Sequence, residues 1–175
     1  TLSLLGALIV FFAACKENDP VMPLTQACLE SIHVKYPNEW LGDTVHIYGP
    51  SAFTPNGDGV NDGFTLFAKN AEVHALRISR NNKVIWSEMG NPPIWPGIDS
   101  DSVWVAEGNF DYDGFAVIAY PNQPGATDTI TFSGTATLLN TSLDVGACAN
   151  CIFPDQYNVD KGFTRPTQES RMNCR

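Results

Sequence analysis

Several short runs of the chain alternate apolar and polar residues at every second position, the period of a strand with one face in a core and one in water. The clearest covers residues 129–139, where Ile130, Phe132, Gly134, Ala136 and Leu138 alternate with Thr131, Ser133, Thr135 and Thr137. Residues 109–120 predict a second long strand, 44–49 a shorter one that ends in Gly-Pro, and 64–67 another. The runs 73–80 and 83–86 flank Asn81-Asn82. Asn tolerates the positive φ of a type I′ turn, so this pair predicts a tight hairpin. Residues 90–102 contain three Pro, two Gly and Trp95, and predict an irregular loop. After residue 15 no 3.6-residue apolar period stands out. Short strands with turn signals between them predict an all-β fold, an antiparallel β-sandwich.

The N-terminal residues break this pattern. Residues 1–14, TLSLLGALIVFFAA, carry no charge and form an almost unbroken apolar run. It is too short to span a bilayer comfortably and suits the apolar region of an export signal. Neither an initiator Met nor a basic region precedes it, so the signal reads as clipped at its start. Residues 15–43, polar and dotted with Pro, with a modest apolar patch at Ala27, Leu29 and Ile32, read as a tether. The body is expected at 44–140 and a Cys-containing extension at 141–175.

Composition narrows the partners. The 175 residues are 43% hydrophobic, enough for one domain with a core. Ten basic residues against nineteen acidic ones give a net charge of -9. Nucleic acid and anionic membrane surfaces need clustered Lys and Arg, and no such cluster occurs. Cations, neutral glycans and other proteins are compatible with this balance.

The densest polar chemistry lies in 52–64, AFTPNGDGVNDGF. Asn56, Asp58 and Asp62 have spacing close to that of a calcium loop, in which alternate residues turn oxygens inward and Gly permits the bend. Thr54 stands at the first ligand position and Thr65 at the twelfth. The competing readings are a turn in which Asn and Asp accept hydrogen bonds from their own backbone amides while Gly57 and Gly59 take positive φ, and a partner-recognition loop. Beyond Cys15 the chain has Cys28, Cys148, Cys151 and Cys174. An even number in an exported protein predicts two disulfides, and three pairings are open. The favoured arrangement joins Cys28 to Cys148 or Cys151 and the other of these to Cys174, which would staple the C-terminal tail to the body. The redox reading of the Cys148–Cys151 spacing lacks a βαβ context, and a zinc reading would need Cys28 and Cys174 to converge on the pair outside the cell.

Nothing in the sequence predicts catalysis. His33, His46 and His74 are scattered, and no nucleophile-elbow or zinc-protease spacing is present. Asp99 and Asp101 sit in the Pro/Gly loop, and Asp111 and Asp113 alternate with aromatics in the manner of a solvated face. Trp95 and Trp104 read as core residues, with a glycan-stacking platform as the competing reading.

Two resemblances add to these readings. Ala13-Ala14-Cys15 resembles the lipobox of bacterial lipoproteins, in which the Cys receives the lipid, and the KEND that follows resembles the export signal of Bacteroidota surface lipoproteins. Together they imply lipid attachment at Cys15 and an outer-membrane, cell-surface location. FTPNGDGVNDGF resembles the opening signature of the gliding-motility-associated C-terminal domain, the type B sorting domain of the type nine secretion system. Residues 76–85, Trp95-Pro96-Gly97, 107–112 and 130–139 resemble its later elements in order. The resemblance implies an immunoglobulin-like sandwich in a surface or secreted protein, with the secretion machinery as a partner.

The expectation is a surface lipoprotein that acts as a non-catalytic binding or assembly module on envelope or surface proteins. It needs no cofactor, with calcium at Asn56, Asp58 and Asp62 as the one candidate. A sorting domain is the alternative, and a small secreted hydrolase a weaker one.

Overall fold

In the computed structural model of the chain, residues 31–39, 41–90, 92–120, 122–139, 151–164 and 166–168 are described. The expected signal at 1–14, the lipidation site Cys15, and Cys28, Cys148 and Cys174 lie outside them. The described chain is built from strands and a single 3-10 turn, so the all-β expectation holds.

The strands are β1 (Ile32–Asn38), β2 (Asp43–Gly49), β3 (Ala52–Phe53), β4 (Phe67–Lys69), β5 (Glu72–Arg80), β6 (Lys83–Met89), β7 (Gly108–Ala119), β8 (Thr127–Leu138), β9 (Tyr157–Asn158) and β10 (Gly162–Phe163). They form a three-stranded sheet in the order β1-β2-β4, a five-stranded sheet in the order β3-β8-β7-β5-β6, and the small β9-β10 hairpin. Val45 and Ile47 of β2 share one core with Leu76, Ile78, Phe110, Tyr112, Ile118 and Phe132 of the larger sheet.

The two longest strands, β7 and β8, pair antiparallel from Gly108↔Leu138 to Ala119↔Thr127. Their inward faces match by size: Phe110 lies opposite Ala136, Tyr112 opposite Gly134, Phe132 opposite Gly114, and Ile130 opposite Ala116. A large residue facing a small one lets each layer fill without overpacking. A Cβ on Gly114 would come within 2.0 Å of the Ala75 carbonyl oxygen, so the β5–β7 approach depends on that glycine. The β5–β6 hairpin turns as expected, with Asn81 at φ 51° and Asn82 at φ 61°.

Tyr112 carries the core's polar exception. Its side-chain oxygen is buried and has no hydrogen-bond partner among the described residues. It lies where a Cβ on Gly49 or Gly134 would come within 2.4 or 2.5 Å of it. An unmet buried hydroxyl costs about 1–3 kcal/mol. Tyr112→Phe is therefore expected to leave stability unchanged or raise it by up to about 1 kcal/mol, measured by urea unfolding. A clear loss would show that the hydroxyl has a native partner.

Two expectations are corrected. The tether expected over 15–43 ends sooner, because Ile32–Asn38 is a strand paired along its length with β2, from Ile32↔Gly49 to Asn38↔Asp43. Its sole Pro, Pro37, stands near the end of an edge strand, where a missing N–H is tolerated. The strand expected at 64–67 begins only at Phe67. Phe64 instead forms an antiparallel bridge with Trp95, its N–H donating to the Trp95 carbonyl at 2.8 Å and its carbonyl accepting from the Trp95 N–H at 2.9 Å. Thr65 hydroxyl donates to the Pro93 carbonyl at 2.8 Å. Pro92-Pro93 offers no amide to extend that bridge into a ladder.

The C-terminal residues pack onto the body. Ser51 and Ala52 amides donate to the Ile152 carbonyl, and the Ile152 amide donates to Ser51 Oγ. Phe153 is fully buried. Tyr157 stacks on Phe67 with centroids 4.2 Å apart, and Phe163 meets Tyr48 edge-on. Cys151 is buried. Its expected disulfide partners fall outside the described residues.

Candidate functional site

Residues 54–62 fold into a loop that closes on itself. The Asp62 carboxylate spans it, accepting from the Gly57 amide at 2.5 Å and the Gly59 amide at 2.8 Å. Asp58 accepts from the Val60 amide at 2.8 Å and from Asn56 Nδ2 at 3.2 Å. Asn56 Oδ1 accepts from the Asp58 amide at 2.9 Å. Gly57 at φ 79° and Gly59 at φ 89° supply the left-handed backbone that this closure needs.

The three candidate calcium ligands are thus brought together, but with their oxygens turned onto backbone and side-chain N–H groups. Neither Thr completes a cage: Thr54 is fully buried and Thr65 hydroxyl faces Pro93. Among the described residues no group of three His, Cys, Asp or Glu side chains is arranged around a metal position. The geometry is that of the self-capped turn.

Asn61 carries the link from this loop to the C-terminal segment. It is buried, sits at φ 53°, and its backbone carbonyl accepts from the Thr54 amide at 2.9 Å. Its Oδ1 accepts from the Asp155 amide at 2.8 Å, and its Nδ2 faces Thr167 Oγ1 at 3.4 Å. Asp155 in turn accepts from Thr167 Oγ1 and the Gln168 amide. The result is a continuous polar seam between signature loop and tail.

A second cluster was not foreseen, because His33 lay in the presumed tether. The β1–β2 register sets His33 opposite Tyr48 and Lys35 opposite His46, and β4 sets Lys69 on the other side of His46. His33 stacks on Tyr48 with centroids 4.2 Å apart, and His33 Nε2 lies 2.8 Å from His46 Nδ1. His33 and His46 therefore do not stand apart, as their sequence positions suggested. The available signal was the alternation of Ile32, His33, Val34 and Lys35, set against 44–49 as the partner arm of a hairpin.

Desolvation first, then the charge of Lys35 and then His46, holds the His33 imidazole below its ordinary pKa. Folding thus favours neutral His33, while the unfolded chain takes up the proton at higher pH. That stability is complete above the ordinary His value of about 6.5 and is lost as pH falls through the lower folded value. The melting temperature is expected to drop between pH 7.5 and 5.5, and His33→Gln to flatten the drop. Equal slopes in the two proteins would remove His33 as the cause.

The remaining candidates separate. His74 lies on β5 beside Glu72, with 3.5 Å between Nε2 and a carboxylate oxygen. Asp113 pairs with Arg77 at 2.8 Å, and Asp111 accepts from Thr135 Oγ1 at 3.0 Å, both on the solvated face. Asp99 Oδ1 accepts from the Asp101 and Val103 amides, which makes it a turn former. Trp95 is fully buried and donates from Nε1 to the Ile98 carbonyl at 2.6 Å, whereas Trp104 is exposed. The core reading is therefore right for Trp95 and wrong for Trp104, and a two-Trp platform is not formed.

No family model matches the chain, and no curated protein matches it.

Proposed function

We propose that the chain is a lipid-anchored, non-catalytic binding or assembly module of the bacterial cell surface, attached through Cys15. Its body is the β-sandwich at 44–140, extended at its start by β1 and read as immunoglobulin-like. The observation that carries this reading is a group of exposed apolar side chains along one edge of the five-stranded sheet. Val84 and Met89 stand on β6 and are 47% and 77% exposed. Val103 and Trp104, 58% and 54% exposed, stand on the loop tied to that strand by the Ser100 amide to the Ile85 carbonyl at 2.8 Å. Apolar surface at a sheet edge favours a protein partner that covers it. Envelope or surface proteins are the proposed class, and the acidic charge disfavours nucleic acid.

Two disulfides among Cys28, Cys148, Cys151 and Cys174 belong to the same reading. Its support is that Cys151 is buried and is not a free thiol. The oxygens of Asn56, Asp58 and Asp62 accept N–H bonds within the loop, and calcium there is a separate proposal, tested by whether millimolar calcium raises the melting temperature of the chelated protein.

The second reading, a sorting domain handled by the type nine secretion machinery, rests on the resemblance of FTPNGDGVNDGF to that family's signature. A reporter that keeps residues 1–47 and lacks 48–140 distinguishes the two. Surface display of the reporter is expected; its retention inside the cell would favour sorting by the deleted domain.

A further inference from the structure

We infer that His33 and His46 form a chelating site for a transition-metal dication, with Cu²⁺ bound most tightly. The two side chains come from neighbouring strands and share the outer face of the three-stranded sheet. Their rings are close to coplanar, 25° apart, with centroids 5.1 Å apart and the facing nitrogens 2.8 Å apart. The rings therefore meet edge to edge, nitrogen toward nitrogen, with one N–H donating to the other ring's lone pair. Imidazole nitrogens coordinate Zn²⁺ or Cu²⁺ at about 2.0–2.1 Å, so two ligands in adjacent positions stand about 3 Å apart. The existing separation already lies near that span. The χ2 torsion of His is soft, so tilting both rings turns the two nitrogens toward one point at small cost. The metal replaces the shared proton, which leaves to solvent.

The surroundings select the kind of ion. Lys35 and Lys69 are both paired in register with His46, and Lys69 is itself 3.7 Å from Asp43. The Lys35 ammonium, whose charge acts on His33, opposes ions held by charge alone, such as Ca²⁺ and Mg²⁺, whereas that of Lys69 is offset by Asp43. Lys35 opposes less an ion held by covalent character with nitrogen, and the Irving–Williams order then ranks Cu²⁺ above Zn²⁺. Tyr48 backs His33 by stacking, and is itself packed against Tyr157 and Phe163 of the tail hairpin, so the His33 ring keeps its place on the sheet face while the tilt about χ2 aims its nitrogen.

The test is titration of the full, oxidised chain with Cu²⁺ or Zn²⁺ by calorimetry, with electron paramagnetic resonance for Cu²⁺. One Cu²⁺ per chain with a two-nitrogen signature is expected, along with weaker Zn²⁺ binding and no heat from Ca²⁺. His33→Gln or His46→Gln is expected to weaken Cu²⁺ by roughly a hundredfold, the loss when a two-armed chelate keeps one arm. His74→Gln should leave it unchanged. Unaltered affinity in the His33→Gln/His46→Gln double variant would overturn the proposal and move the ion to the cysteines or elsewhere. Should those variants fail to fold, the unmodified chain decides by NMR. Substoichiometric Cu²⁺ must broaden the ring signals of His33 and His46 before any others, and their persistence sinks the site.

Discussion

Replacing Trp95 by Ala is expected to destabilise the protein by about 3–5 kcal/mol. The indole is fully buried against Phe53, with centroids 5.1 Å apart, and meets Phe110 edge-on at 4.8 Å. Removing it opens a cavity that the paired strands around it can collapse to fill only in part. It also strips the Ile98 carbonyl of its Nε1 donor at 2.6 Å. Trp95 backbone further clamps Phe64, so relaxation around the cavity would pull on the residues that follow the signature loop. The corresponding fall in melting temperature is about 6–20 °C for a chain of this size. Chemical unfolding with tryptophan-independent detection measures it. A loss below about 1 kcal/mol would mean that the loop at 90–105 is held without its indole.

Asn61→Ala should cost about 2–4 kcal/mol, from two separable sources. Alanine at φ 53° bears the left-handed backbone cost, which Asn tolerates better. The substitution also removes the acceptor of the Asp155 amide and the group facing Thr167. The second loss is local, so hydrogen exchange at residues 152–164 should accelerate more than at β7 and β8. Asn61→Gly distinguishes the sources: it restores the backbone and not the seam. Its stability should recover in part while tail exchange stays fast. Normal tail protection in both variants would show that the aromatic contacts of Tyr157 and Phe163 hold the segment without Asn61.

Much of the fold was legible because its strands carry one-sided patterns. The alternation at 129–139 locates β8, and the large residues that face small ones on β7 confirm its register. Asn81-Asn82 fixed its hairpin through local φ preference alone. The strand Ile32–Asn38 was hidden because, apart from Asn38 at its end, it keeps no buried residue and contains Pro37. Its strand character comes from pairing with β2, which no local window contains.

The candidate sites divide along the same line. The signature loop's shape follows from its own residues: Gly57 and Gly59 allow the bend, and the Asp62 carboxylate closes it over a few positions. The sequence leaves open where those oxygens point, and the closed loop has Asn56, Asp58 and Asp62 each accepting from a nearby amide. The His33–His46 contact spans a sequence separation of 13, created by strand register. The opposite fates of Trp95 and Trp104, one fully buried and one exposed, depend on where an irregular loop crosses the sheet edge. By itself the sequence determined the all-β class, the tight turns and the composition of the loop, because these rest on nearest-neighbour sterics and period-two burial. Only the tertiary structure decided which side chains meet across strands and which face water, because such contacts are set by register between segments distant along the chain.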